Sequence, residues 1–315
     1  MPYTARMRSL FVLFLIPLAT LPGLAARQQP PATDVYLMSM QGQATGWINI
    51  SNSPGYDNQP SFLPDSSAVL FSSNRDGKQT DIHHYDIASK ALTQVTKTAE
   101  AEYSPAVTPD GKGFSVIRVE SDGTQRLWRF DRDGANPRLV LENVKPVGYH
   151  AWIDATHLAL FILGAQGQPA TLQIADTSAG TAEIVATGIG RSILIRPGAG
   201  TVSFITSGQD RWVKEWDPKT RQIAEIVRPV ENSQDAAWTS RNTLLMATGT
   251  VISELSRSGD TFGSQPKFTL TSDGTDARYP RLASITRLAA SPDGRWLAFV
   301  AEPRSAGGSR ASIPE

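Results

Sequence analysis

Short runs in which apolar and polar residues alternate, each closed by a turn signal, fill the chain from Asp34 to Pro303. Alternation with period two places successive side chains on opposite faces of a strand, so the pattern predicts half-buried β-strands throughout. Three segments repeat one phrase. Gln59-Pro-Ser-Phe-Leu-Pro-Asp65 leads into Ala68-Val-Leu-Phe-Ser-Ser73, and Ser104-Pro-Ala-Val-Thr-Pro-Asp-Gly111 leads into Gly113-Phe-Ser-Val-Ile-Arg118. The third, Leu288-Ala-Ala-Ser-Pro-Asp-Gly294, leads into Trp296-Leu-Ala-Phe-Val300. Proline presets φ for a turn, and Asp-Gly adds a side-chain acceptor and a residue able to take positive φ. Each phrase therefore predicts strand, tight turn, strand.

The strand residue two before the turn proline serves as a register mark: Phe62, Val107 and Ala290. The same mark carries into segments without the Pro-Asp pair, at Trp152, Ile195 and Trp238, with separations of 45, 45, 43, 43 and 52 residues. A period of about 40–50 residues with four short strands per unit marks the blades of a β-propeller. Second strands are expected at Ala68–Ser73, Phe114–Val119, Leu158–Leu163, Thr201–Thr206, Thr243–Thr248 and Trp296–Ala301. Third strands follow at Asp81–Ile87, Arg126–Asp131, Thr171–Asp176, Arg211–Trp216 and Val251–Ser256. Fourth strands fall at Leu92–Thr96, Arg138–Glu142, Glu183–Ala186, Gln222–Val227 and Lys267–Thr271. The sixth unit stops after two strands, and Asp34–Met40 and Thr45–Ile50 supply the missing third and fourth. The fold class is thus all-β, a six-bladed propeller closed by N-terminal strands that complete the last blade and remove exposed sheet edges.

These repeats resemble the TolB-like β-propeller repeat family, a Pro-Asp-Gly relative of the WD-type repeat. The likeness rests on Pro60–Asp65, Pro105–Gly111 and Ser291–Gly294, with Ser73-Asn-Arg-Asp-Gly77 and Asp81-Ile-His-His-Tyr-Asp86 as a second-hairpin pattern. It implies the propeller fold and is unspecific for function. Propellers of this type also accompany serine peptidases, but no Gly-x-Ser-x-Gly elbow is present, since Gly190-Arg-Ser-Ile-Leu194 lacks the closing glycine.

Composition narrows the function classes. The 30 Lys and Arg balance 30 Asp and Glu, which disfavours a nucleic-acid partner. The absence of cysteine removes disulfides, thiolate metal sites and cysteine nucleophiles. Arg6 and Arg8 precede an apolar run from Leu10 to Ala19, and Gly23, Ala25 and Ala26 follow, the order of a secretory signal peptide. The expected organisation is a signal peptide over 1–26, a linker over 27–33, one propeller over 34–303 with no room for a second domain, and a disordered tail over 304–315. The mature chain is expected to be a periplasmic monomer without a membrane span.

Only four histidines are present, His83, His84, His150 and His157. His83 and His84 are adjacent on a strand and point to opposite faces, one packed between blades and one on the surface. Inner strands line a propeller's axis, so the residues three and four before each mark form two rings. The first ring reads Gln59, Ser104, Tyr149, Ser192, Asp235 and Arg287; the second reads Asn58, Tyr103, Gly148, Arg191, Gln234 and Thr286. His150 lies one step deeper. One carboxylate beside two guanidiniums is a poor calcium cage and a better pocket for an anionic group. The candidate ligand-binding residues are Asn58, Gln59, Tyr103, Tyr149, His150, Arg191, Asp235 and Arg287; no catalytic, metal or cofactor set is expected. A competing expectation is an Arg–Asp network that only plugs the channel. The functional expectation is a non-enzymatic envelope module binding a protein, peptide or anionic ligand; the alternative is a lactonase- or lyase-type enzyme at the channel mouth.

Overall fold

In the computed structural model, residues 32–41, 46–231, 233–259, 261–272 and 281–303 are described. The expected signal segment, most of the expected linker and the expected tail lie outside them. Blade one is β3 (Asp57–Phe62), β4 (Ala68–Ser73), β5 (Asp81–Asp86) and β6 (Leu92–Gln94). Blade two is β7 (Ala101–Val107), β8 (Gly113–Val119), β9 (Gln125–Asp131) and β10 (Arg138–Leu139). Blade three is β11 (Val147–Trp152), β12 (His157–Ile162), β13 (Thr171–Asp176) and β14 (Thr181–Thr187). Blade four is β15 (Ile189–Ile195), β16 (Val202–Thr206), β17 (Val213–Trp216) and β18 (Ile223–Val227). Blade five is β19 (Ala236–Trp238), β20 (Leu244–Thr248), β21 (Val251–Ser258) and β22 (Thr261–Thr269). Blade six joins β23 (Leu282–Ala290) and β24 (Trp296–Pro303) to β1 (Asp34–Ser39) and β2 (Trp47–Asn49), in the order β2-β1-β24-β23. The chain is a six-bladed β-propeller.

Every register mark is the last residue of an inner strand. The turn chemistry explains why. In blade two, Asp110 Oδ1 accepts the Lys112 N–H at 3.0 Å, while Gly111, at φ 65°, donates to the Thr108 carbonyl at 2.8 Å. Blade five keeps this turn without Pro-Asp-Gly. There Asn242 takes φ 59° and donates to the Thr239 carbonyl at 3.0 Å, a conformation asparagine tolerates better than most residues. The largest departure from expectation is β22, which starts at Thr261 instead of Lys267 because β21 extends to Ser258 and Gly259 turns the chain at φ 60°. Pro266 is accommodated in β22 because this is an edge strand, where a missing donor costs no ladder bond.

The core consists of six apolar clusters, each spanning one blade-to-blade interface. β1 contributes to two of them by alternation: Tyr36 and Met38 face blade five, and Val35 and Leu37 face blade one. All four are essentially unexposed. Thr33, at the end of the expected linker, is also held: its Oγ1 donates to the Asp57 carbonyl at 2.8 Å. Two tryptophans latch neighbouring blades. Trp152 Nε1 donates to Ser115 Oγ at 2.9 Å and Trp238 Nε1 to Ser203 Oγ at 3.0 Å, each bond running back to the second strand of the preceding blade.

Candidate functional site

Inner strands do not pair evenly along their length. Register shifts occur at Asn58/Ser61, Tyr103/Ala106, Val147/Tyr149, Ile189/Ile193 and Ile285/Arg287, the level of the two candidate rings. Gln59 and Ser104 adopt φ 57° and 53° there. Such bulges re-aim side chains, here toward the axis.

A cavity of about 770 Å³ opens on the side of the hairpin turns. Its deeper tier is the whole first ring, Gln59, Ser104, Tyr149, Ser192, Asp235 and Arg287, joined by Arg191. Its outer tier is the six register marks, Phe62, Val107, Trp152, Ile195, Trp238 and Ala290. A polar floor of one residue per blade plus Arg191 thus lies under an apolar wall of one residue per blade.

The floor is organised by Arg287. Its Nη1 donates to Asp235 Oδ2 at 3.2 Å and its Nη2 to the Tyr149 hydroxyl at 2.8 Å, with the guanidinium 4.8 Å from the Tyr149 ring centroid. The Leu288 N–H donates to Asp235 Oδ1 at 3.4 Å. Burial works against the Arg287 charge, but Asp235, Tyr149 and Tyr56 outweigh it and raise its pKa. Arg191 differs. Its Nη2 donates to the Thr286 carbonyl at 2.8 Å, and its buried Nε has no hydrogen-bond partner among the described residues. Burial, followed by the like charge of Arg287, lowers its pKa. Two guanidiniums against one carboxylate leave one surplus positive charge. Ser104 Oγ is also buried without a hydrogen-bond partner among the described residues, while Gln59 Oε1 accepts the Ser104 N–H at 3.1 Å.

Asn58 and Tyr103 do not line this cavity. Asn58 Nδ2 donates to Thr33 Oγ1 at 3.4 Å, fastening the chain just before β1. Tyr103 meets Tyr56 edge-on at 6.3 Å between ring centroids. Tyr56, absent from the ring reasoning because it precedes its inner strand, lies within electrostatic reach of Arg287, Arg191 and Tyr149; burial raises its pKa. No register rule reaches it.

His150 borders the cavity, but its Nε2 is 2.6 Å from Ser115 Oγ, and Ser115 is wholly buried. Nδ1 of His150 has no partner among the described residues, so this Ser–His contact lacks the third group that would orient a base. Among the described residues no group of three or more His, Asp or Glu is placed to hold a metal.

The buried histidines make a pH prediction. Burial lowers His150 to about 3, and burial with Arg75 nearby lowers His83 to about 4. Both stay neutral in the fold while the unfolded chain takes up protons near pH 6.5, so this stability is complete above about 6.5 and falls as the pH drops. Glu102 opposes them: burial raises it to about 7 against Thr98, Arg118 and Thr96, so its contribution is full below its unfolded value and is lost as the pH rises. From these three groups, two protons against one give a loss of about 1.4 kcal/mol per pH unit between about 6.5 and 4.5, which Asp57, Asp81 and Asp235, also raised by burial, reduce toward the acid end. Urea midpoints across that range should show the loss, and His150→Gln should flatten it. A wild type more stable at about pH 5 than at 7 would contradict these assignments.

No family model matches the chain. Its fold is similar to a propeller designated TolB from Agrobacterium tumefaciens, at TM-score 0.67 and 15% identity over 86% of this chain and 99% of that one. TolB from Acinetobacter baumannii matches at TM-score 0.53 and 12% identity, over 86% of this chain and 63% of that one. A propeller designated a gluconolactonase matches at TM-score 0.56 and 10% identity, over 88% and 94%. At these identities the likeness concerns the fold. The neighbours include both TolB propellers and an enzyme class.

Proposed function

We propose that this chain is a non-enzymatic binding and scaffold propeller of the cell envelope. Its N-terminal segment exports it to the periplasm, and its channel mouth receives a carboxylate-bearing group of a partner protein or peptide. The observation that carries the reading is the surplus charge on the cavity floor, where the Arg191 Nε is unbonded beneath an apolar wall. A guanidinium offers a planar fork to a carboxylate, and Ser104, Ser192 and Gln59 supply neutral hydrogen bonds around it. The wall of Phe62, Trp152 and Trp238 suits apolar side chains flanking that group. An enzyme acting at the same mouth, of lactonase or lyase type, would need a carboxylate or imidazole available for a proton or cation. Asp235 is already paired with Arg287, and His150 with Ser115.

The test starts from a partner co-purified with envelope extract and titrated calorimetrically. Arg191→Gln removes one charged hydrogen bond of about 1.5–3 kcal/mol, so affinity should fall about 10- to 100-fold. The melting temperature should move little, because Arg191 bonds only one carbonyl in the fold. Unchanged affinity would assign the floor to channel plugging and refute the reading.

A further inference from the structure

A separate cavity of about 530 Å³ lies between blades four and five, on the side where the inner strands begin. It is lined by Arg191 and Arg211, with Ser207, Gln209 and Gln234 adding neutral polar groups. Among the described residues no Asp or Glu lines it. Arg211 Nη1 donates to the Ser233 carbonyl at 2.9 Å and Arg191 Nη2 to the Thr286 carbonyl, so each guanidinium meets only a neutral acceptor. The nearest carboxylate in sequence, Asp210, is turned away to Arg228, whose guanidinium covers Trp212 at 3.9 Å from the ring centroid.

The wall is preorganised. Trp212 N–H donates to Thr206 Oγ1 at 2.8 Å and Thr206 N–H to the Trp212 carbonyl at 2.9 Å, closing the loop that carries Ser207 and Gly208. Gly208 takes φ 88°, which favours glycine. At Gly190 a Cβ would come within 3.3 Å of the Ile205 carbonyl oxygen, so the floor admits close approach of the two strands.

We propose that this cavity is a second anion site, which shares Arg191 with the channel mouth and is set apart from it by Arg211 and Ser207, and that it takes a phosphate dianion, as inorganic phosphate or a small phosphate monoester. Arg211 adds a second guanidinium to Arg191 here, and with no carboxylate among the described lining residues the pair matches two negative charges better than the mouth, where Asp235 lies with Arg191 and Arg287. Donors arriving from both arginines, Ser207 and the two glutamines suit tetrahedral oxygens better than a planar carboxylate. The volume leaves room for a substituent beyond the phosphate.

The experiment titrates inorganic phosphate and glycerol 1-phosphate into the full chain, followed by calorimetry and phosphorus NMR, with Arg211→Gln and Ser207→Ala as variants. Arg211→Gln should weaken both ligands about 10-fold or more and leave binding of the mouth partner unchanged. Ser207→Ala, which keeps every charge, should weaken them by a smaller factor. Wild-type affinity should also fall as the pH drops through about 6 for the monoester, and at a higher pH for inorganic phosphate, where each takes up its second proton. Tighter binding of the monoester than of inorganic phosphate would identify the substituted form as the ligand, and the reverse the inorganic ion. Phosphate affinity in Arg211→Gln within about two-fold of wild type would overturn the proposal, as would an affinity that ignores pH.

Discussion

Removal of residues 34–50 is expected to abolish soluble, monomeric protein. β1 lies between β2 and β24, and Val35, Tyr36, Leu37 and Met38 are 0, 0, 2 and 1% exposed. Burying each such side chain is worth about 1.5–3 kcal/mol, so their loss removes about 6–12 kcal/mol. That is comparable to the whole stability of a domain, about 5–15 kcal/mol. The truncation also uncovers the β24 ladder, an aggregation-prone edge. Tyr36→Ala isolates one part of this. Tyr36 stacks on Phe299 at 5.2 Å, and its truncation should cost about 3–5 kcal/mol in a urea titration. A truncated chain that is monomeric with an unshifted urea midpoint would show that the ring closes without β1.

Asp235→Asn is expected to move stability and binding in opposite directions. The Asp235–Arg287 pair is 11–13% exposed, and removing one charge leaves the like charges of Arg287 and Arg191 without the Asp235 carboxylate to offset them. Breaking such a buried pair costs about 3–5 kcal/mol, with the retained amide oxygen placing this change toward the lower end. The floor then carries two surplus charges, and an anionic partner should bind about 10-fold more tightly. Saturating partner should restore part of the lost stability by mass action. Chemical denaturation with and without partner reads both effects. Weaker binding in Asp235→Asn would mean that Asp235 itself contacts the ligand. An unshifted midpoint would mean that the pair does not hold the floor together.

The arginines show where sequence reasoning stops. By register, Arg287 and Arg191 fall in adjacent rings, two blades apart with Asp235 on the blade between, and the pattern gives them the same role. In the fold Arg287 is bound to Asp235 and Tyr149, residues 52 and 138 positions away, while Arg191 keeps an unbonded Nε. Replacing both would confuse ligand binding with an exposed buried carboxylate, which is why Arg191 alone tests the mouth.

Strand identity, blade number and the completion of blade six by Asp34–Ser39 and Trp47–Asn49 follow from alternation, turn chemistry and recurrence, all of which act over a few residues. The marks fall on strand ends because the hairpin turn dictates where the inner strand must stop, even where Asn242 replaces glycine. Period two likewise sends Tyr36 and Met38 to one interface and Val35 and Leu37 to the other. Which ring residues face the cavity was decided only in three dimensions. Bulges in the inner strands turn Gln59 toward the axis and leave its neighbour Asn58 tied to Thr33, while Tyr56 precedes its inner strand, and Arg211, expected to open a third strand, lies just before β17 and lines the second cavity. A bulge shifts direction by one residue, and convergence across the ring depends on distances between blades, so neither is encoded in any local pattern.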